Sequence, residues 1–162
     1  MLMAQACNNA QPTIVERNGL TFKLPDSWQI TNEVKGDDHL LSITCERQGV
    51  DESGLAVINL FGQVYDPSDV LVNSKEALQN NPVYAEAGIV FSDFSGMTFQ
   101  QQHTLGMNFN FKREGVTHSG RVIVFELCHQ TVSILMQQDN SDSTRNKAGF
   151  QTLAGGFKCL HP

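Results

Sequence analysis

The sequence predicts an α+β fold, a mostly antiparallel β-sheet flanked by helices in an α/β/α sandwich. In the stretch from Gly120 to Gln138, apolar and polar positions alternate on both sides of the break Cys128-His129-Gln130. Period-2 runs rich in β-branched residues are typical of paired antiparallel strands. Two other segments, beginning near Asp66 and Thr144, instead space their apolar residues as helices do. The resulting order of strands, helix, strands and helix indicates helices packed against a sheet.

The first two strands form a predicted hairpin. Thr13–Arg17 and Leu20–Leu24 flank Asn18-Gly19, a dipeptide that accepts the positive φ angles of a type I′ turn. Pro25 ends the second strand because it has no amide proton to donate. We expect Trp28 to be half-buried at the sheet edge.

Two further strands are predicted from 40 to 47 and from 55 to 64. The second carries apolar residues on both faces, which is typical of an inner strand covered on both sides. We expect Leu55, Val57 and Phe61 on one face. Ile58 and Leu60 are expected on the other.

The first helix is predicted from its ends. Asp66 is a suitable N-cap, Pro67 suits the first helical position, and Asn80-Asn81-Pro82 ends the helix. Strands are then expected over 89–94 and 97–105, before an alternating run through Phe111. A second helix is predicted over 144–157, with Gly155-Gly156 weakening its last turn.

Composition limits the possible functions. At 162 residues, we expect a disordered N-terminus over 1–12 and a single domain over 13–162. The chain has 11 basic and 17 acidic residues and no Lys/Arg cluster, so nucleic acid is not an expected partner. No apolar run approaches the roughly 20 residues of a membrane span.

The first residues resemble an export boundary. Ala4-Gln5-Ala6 has the small-x-small pattern that precedes a signal-peptidase cut, and Cys7 follows as in a lipoprotein lipobox. This interpretation takes the segment as the tail of a signal peptide and makes Cys7 the lipid-attachment residue. The alternative interpretation is an ordinary disordered N-terminus.

Several landmarks resemble the PsbP-like superfamily, which includes PsbP, Mog-type proteins, DcrB-type lipoproteins and Eag-type chaperones. They are the opening Asn18 to Trp28, with its strand and Pro-x-x-Trp, the Asp66-Pro67 helix start, and the closing Gly149-Phe150-Gln151-Thr152-Leu153. The resemblance covers Ile14 to Cys159. It implies an antiparallel sheet between helices and a non-enzymatic binding or accessory role.

No catalytic or metal-binding pattern is found, so we expect no enzymatic activity and no cofactor. The five histidines lack metal-site spacing, although His103 and His118 approach each other if their strands pair. The cysteines form no Cys-x-x-Cys motif. A catalytic pair of Cys128 and His129 is disfavoured, because neighbours in an extended chain point to opposite faces. Asp139-Asn140-Ser141-Asp142 suits a helix cap better than a calcium loop.

Element lengths predict one disulfide in an exported chain. The strand after the Cys128 turn climbs about 23 Å, and the last helix returns about 22 Å. Cys159 is therefore expected near Cys128, with Cys45 as the alternative partner.

Alternation also predicts the buried core. We expect these residues to be largely buried: Leu20, Phe22, Leu24, Ile43, Val57, Phe61, Phe109, Phe125, Val132 and Ile134.

Two functional hypotheses follow. The first is an exported bacterial accessory or binding protein, located in the periplasm or cell envelope and lipid-anchored if Cys7 is modified. The second is a cytoplasmic chaperone or adaptor that holds a protein partner on its sheet face. In both, the partner is an unidentified protein.

Overall fold

A computed structural model describes residues 11–50, 52–99 and 102–161. The expected disordered segment and its lipid-attachment residue Cys7 lie outside the described residues, apart from residues 11 and 12. The strands are β1 Thr13–Arg17, β2 Leu20–Leu24, β3 Trp28–Lys35, β4 Leu41–Arg47, β5 Leu55–Leu60, β6 Val90–Phe91, β7 Ser95–Phe99, β8 Gln102–Arg113, β9 Val116–Leu127, β10 Gln130–Asp139 and β11 Lys158–Cys159. The helices are α1 Pro67–Asn80, α2 Pro82–Glu86 and α3 Ser143–Gly155.

The described strands form two sheets. The larger has the order β3-β4-β5-β10-β9-β8-β6, with β7 also paired to β8, and each of its pairings is antiparallel. The smaller has the order β1-β2-β11. Helices α1 and α2 cover one face of the larger sheet, while α3 and the smaller sheet cover the other. The predicted α+β architecture with a mostly antiparallel sheet is confirmed.

The central hairpin β9–β10 contributes to a core on each face. Ile123, Phe125, Val132 and Ile134 pack towards the smaller sheet and α3. Val122 and Val124 belong to the second core, against α1. Alternating residues of a strand point to opposite faces, so apolar residues at every position require cover on both sides.

The two cores are separate clusters of side chains. The first joins Leu20, Phe22 and Leu24 of the first hairpin to Ile43 and to the inner face of β10. The second is built on aromatic residues of β8, where Phe109 is 2% exposed, together with Leu71 and Leu78 of α1.

The two faces of β5 are those predicted, but the burial expected for Val57 and Phe61 is wrong. Ala56, Ile58 and Leu60 are fully buried, whereas Val57 and Phe61 are only half-buried. The helical face of the sheet is less completely covered at this point, because α1 packs mainly on β8 and β9. Val57 and Phe61 therefore do not belong to the fully buried core.

Two strands were not predicted. β3 is an edge strand whose residues after Ile30 are all exposed, so it lacks a buried face to mark it. A register shift between Ile30 and Asn32 also interrupts its alternation. β11 has only two residues and pairs with β2. Trp28, expected to be half-buried, is 6% exposed at the start of β3.

Local signals located the helices well. Asp66 caps α1 by accepting a hydrogen bond from the Ser68 backbone amide at 2.8 Å, and the helix ends at Asn80 as predicted. α3 ends at Gly155, earlier than expected, so Phe157 lies outside it. Phe157 instead stacks on Phe22, with ring centroids 5.4 Å apart. None of the helices in the described ranges has the length and apolar character that crossing a membrane requires.

Candidate binding cleft

A cleft of about 750 Å³ lies between α3 and the face of the larger sheet. Its walls come from β7, β8, β9, β10 and α3. The lining residues are Met97, Asn108, Ser119, Gly120, Arg121, Ile123, Met136, Gln138, Ser143, Thr144, Lys147, Phe150, Gln151, Ala154 and Gly155. Its volume is within the range of small-molecule sites, about 300–1,000 Å³.

The position of α3 leaves this part of the sheet uncovered. α3 packs on β2 and β10, while β9 and β8, which follow β10 in the sheet order, extend beyond it. Met97, Met136 and Phe150 pack against the core but remain half-buried, since they line the open cleft. Apolar surface is therefore available to a ligand there.

Packing against Trp28 holds the middle of α3. The rings of Trp28 and Phe150 meet edge to face, with centroids 5.4 Å apart. A Cβ atom at Gly149 would lie 2.7 Å from Trp28 Nε1, so only glycine allows this approach. The fluorescence of Trp28 is therefore expected to respond to changes at Phe150, which lines the cleft.

A polar network holds the first turn of α3. Asp142 is 2% exposed, and its Oδ2 accepts a hydrogen bond of 2.8 Å from Ser53 Oγ. Ser53 Oγ in turn accepts a hydrogen bond of 2.9 Å from the Asp139 amide. The Ser53 hydrogen bond, followed by the charge of Arg145, lowers the pKa of Asp142. The segment 139–142 connects β10 to α3, but the capping interpretation is only partly right: Asp142 makes no side-chain capping hydrogen bond to α3, and Asp139 Oδ1 accepts one of 2.8 Å from the Ser141 amide instead.

An ion pair between β4 and the loop before β5 lies beside this network. Arg47 pairs with Glu52 at 2.9 Å, and Arg47 Nη1 donates to Asn146 Oδ1 at 3.1 Å. Asn146 is fully buried on α3. These contacts join the end of β4 to α3 and help to hold the helix against the sheet.

The structure brings Cys128 and Cys159 together in a disulfide, with Cα atoms 5.7 Å apart. Cys128 and His129 form the turn between β9 and β10, where both residues have positive φ angles. A disulfide sulfur is not a free nucleophile, so Cys128 does not serve as one with His129 in this state. Cys45, the alternative partner, is buried and free, and burial raises the pKa of its thiol to about 12.

The strand register keeps the backbones of His103 and His118 apart. The register of β8 and β9 places His118 opposite Phe111, with the two rings stacked at 4.8 Å. His103 lies on β8 eight residues before Phe111, and its backbone partner is Thr98 of β7. Within the described ranges, no group of three or more His, Cys, Asp or Glu side chains is placed to hold a metal ion.

Sequence reasoning did not find the cleft. Its residues come from four strands and one helix, so no local motif identifies it. One signal was present in the central hairpin. The face that carries Ile123 and Ile134 becomes polar further along the same strands, at Arg121, Ser119 and Gln138. A change from apolar to polar residues along one sheet face indicates where the helix or sheet that covers this face ends.

Comparison with known proteins supports the fold assignment. No protein-family model matches the sequence, and no curated protein sequence matches it. Among solved structures, cyanobacterial PsbP (CyanoP) from Synechocystis sp. PCC 6803 has a TM-score of 0.63 and 11% identity, covering 98% of each chain. The fold is therefore PsbP-like, which confirms the resemblance at the level of architecture.

Two further solved structures have a similar fold. A mutant form of the protein Mog1 has a TM-score of 0.57 and 13% identity, covering 93% of this chain and 96% of that one. LpqN of Mycobacterium tuberculosis, described as involved in cell envelope biogenesis, has a TM-score of 0.51 and 16% identity, covering 91% and 90%. At these identities the similarity is one of fold.

Proposed function

We propose that this chain is a non-enzymatic bacterial binding or accessory protein, and that it binds its ligand in the cleft beside α3. The cleft carries the proposal, since it combines half-buried apolar side chains with polar groups in a volume suited to a ligand. The PsbP-like fold adds the example of LpqN, whose description places it in envelope biogenesis.

Filling the cleft tests this function. Gly155 is exposed at the cleft, and a Cβ atom there meets nothing within 4 Å, so Gly155→Phe adds a ring at the cleft with no clash at its Cβ atom. Ala148→Phe is the matched control, because Ala148 is exposed on α3 but does not line the cleft. We expect fractions of an envelope extract to raise the Tm of wild type and Ala148→Phe but not of Gly155→Phe. Equal shifts in all three proteins, or none, would contradict the proposal.

We further propose that the protein acts outside the cytoplasm, in the periplasm or cell envelope. A disulfide between Cys128 and Cys159 supports this location, because cytosolic thiols are normally kept reduced. Thiol trapping in intact cells is the test. Cys128 and Cys159 should resist alkylation until a reductant is added. If both are alkylated without reductant, the cytoplasmic adaptor with a protein partner is the better account.

Lipid attachment at Cys7 is a separate proposal, supported by the Ala4-Gln5-Ala6 sequence before it. Cells expressing the full gene are grown with radiolabelled palmitate. Label should enter the wild-type protein and be absent from Cys7→Ser. Equal labelling of both would exclude Cys7 as the attachment residue.

A further inference from the structure

The cleft differs in charge from the rest of the protein. The chain has a net charge of -6, with 17 acidic and 11 basic residues. Among the residues that the structure describes, however, the cleft is lined by two cations, Arg121 and Lys147, and by no aspartate or glutamate. Both cations are exposed at its rim. An acidic protein thus presents a locally positive cleft, which favours an anionic ligand.

Neither cation is neutralised by an ion pair within the described structure. Arg121 Nε donates a hydrogen bond of 2.7 Å to Asn108 Oδ1, which orients the guanidinium. The terminal nitrogens of Arg121 and the ammonium group of Lys147 are left for an anion, the partner to which they bind most strongly.

Cationic and apolar groups are concentrated towards opposite ends of the cleft, although Met136 lies opposite Arg121 in the register of β9 and β10. On β9, Arg121 and Ile123 share a face and lie about 7 Å apart along the strand. On α3, Lys147 precedes Ala154 by seven residues, or about 10 Å. Met97 and Phe150 lie with Ile123 and Ala154 at the apolar end. The cleft therefore has a cationic end and an apolar end.

The described strands at the floor of the cleft, β8, β9 and β10, are paired on both sides, whereas β7 at its wall pairs with β8 alone in the described residues. β9 and β10 are interior strands, and β8 is paired with β9 on one side and with β6 and β7 on the other. A peptide in extended form needs unpaired backbone groups at a sheet edge. A hydrocarbon tail needs none, so the floor of the cleft suits it better.

We propose that the cleft binds a single-chain anionic amphiphile, with its head between Arg121 and Lys147 and its tail along Ile123 and Phe150. This inference rests on the proposed function and names the ligand class of the same cleft. The area around the head is open to solvent, so the tail supplies much of the affinity and the cations supply selectivity.

A homologous series of ligands tests the tail. Hexanoate, octanoate and decanoate are titrated calorimetrically into the disulfide-bonded protein, each below its micelle concentration. We expect one site, with Kd falling about fourfold for each added methylene, which corresponds to about 0.8 kcal/mol. The emission of Trp28, the single tryptophan of the chain, should change with the same Kd because its ring touches Phe150.

Charge variants test the head. Arg121→Gln and Lys147→Gln should each weaken decanoate binding about three- to tenfold and leave binding of 1-decanol unchanged. Arg113→Gln removes the same charge from an exposed position outside the cleft and should bind as wild type does. All three variants should stay close to the wild-type Tm, because none of these side chains forms an ion pair in the described structure and Arg121→Gln removes only an exposed hydrogen bond to Asn108.

The outcomes separate this inference from the proposed function. If 1-decanol or a trimethylammonium amphiphile binds as tightly as decanoate, the anionic ligand class is wrong. If no carboxylate binds, but an acidic apolar peptide binds and Gly155→Phe blocks it, the ligand is a peptide and the cleft function stands. If Gly155→Phe leaves carboxylate binding unchanged, the cleft is not the binding site and both proposals fail.

Discussion

The Cα atoms of Cys128 and Cys159 lie 5.7 Å apart across a disulfide, although 31 residues separate them in the sequence. Cys128 belongs to the turn between β9 and β10, and Cys159 ends β11. Since β11 pairs with β2, the bond ties the central hairpin to the smaller sheet. It also fixes the chain directly after α3, which forms one wall of the cleft.

Loss of this disulfide should destabilise the protein. Closing a loop of this length restricts the unfolded chain, and we expect Cys128→Ser/Cys159→Ser to lower the free energy of unfolding by about 3–4 kcal/mol. Urea denaturation of wild type and variant gives the difference. Added reductant should destabilise wild type by a similar amount and leave the double variant unaffected. An equal response of both proteins to reductant would show that the bond does not form in solution.

Phe125 should be among the most costly positions to truncate. It is 2% exposed and meets Phe157 edge to face, with ring centroids 5.7 Å apart. Phe125→Ala removes a buried ring and leaves a cavity, which should cost about 3–5 kcal/mol in a denaturant titration. The neighbouring Glu126→Ala, at an exposed position of the same strand, is the control and should change stability by less than about 0.5 kcal/mol. Equal effects would place Phe125 outside the core.

Gly120 should not tolerate alanine. It lies opposite Phe109 in the register of β8 and β9, and an added Cβ atom would meet the ring of Phe109. The Phe109 ring is buried beside the rings of Tyr84, Phe91 and Phe111, so overpacking should cost Gly120→Ala about 1–3 kcal/mol. Gly96→Ala is the control, because a Cβ atom at Gly96 meets nothing within 4 Å. Thermal unfolding of both variants is the measurement. If Gly120→Ala keeps the wild-type Tm, the contact between Gly120 and Phe109 is wrong.

Asp142 should make stability dependent on pH in the acid range. Its pKa is lowered in the folded protein, first by the hydrogen bond from Ser53 and also by Arg145. A lowered folded-state pKa gives stability that is complete above the unfolded-state value, near about 3.9, and is lost as the pH falls through the folded-state value. Wild type should therefore exceed Asp142→Asn in stability at neutral pH.

Measurement of this difference across pH provides the test. The gap between wild type and Asp142→Asn, from urea denaturation, should stay constant down to about pH 5 and shrink below about pH 4. Asp26→Asn, at an exposed turn, is the control for a general loss of one carboxylate. If the stability difference between the two proteins does not narrow in acid, the charge of Asp142 does not contribute to it.

Local sequence determined much of the fold. The Asn18-Gly19 turn, the alternation across the central hairpin, and the Asp66-Pro67 start of α1 all appear where the sequence predicts them. Each depends on groups within a few residues of one another, such as a cap, a positive φ angle or a repeating apolar face. Element lengths also brought Cys159 to the level of the Cys128 turn, because a strand and a returning helix of similar length end at the same height.

Tertiary structure decided the rest. β3 and β11 exist because a neighbouring strand supplies hydrogen bonds, and neither has a buried alternating face of its own. How deeply Val57 of β5 is buried depends on where α1 packs, so the burial expected for it was wrong. The cleft is the clearest case. Arg121 and Lys147 are 26 positions apart in the sequence and share one cavity only after α3 folds back along β10. Whether a charge is free or paired is a property of the packed molecule, because only packing decides which opposite charges come near.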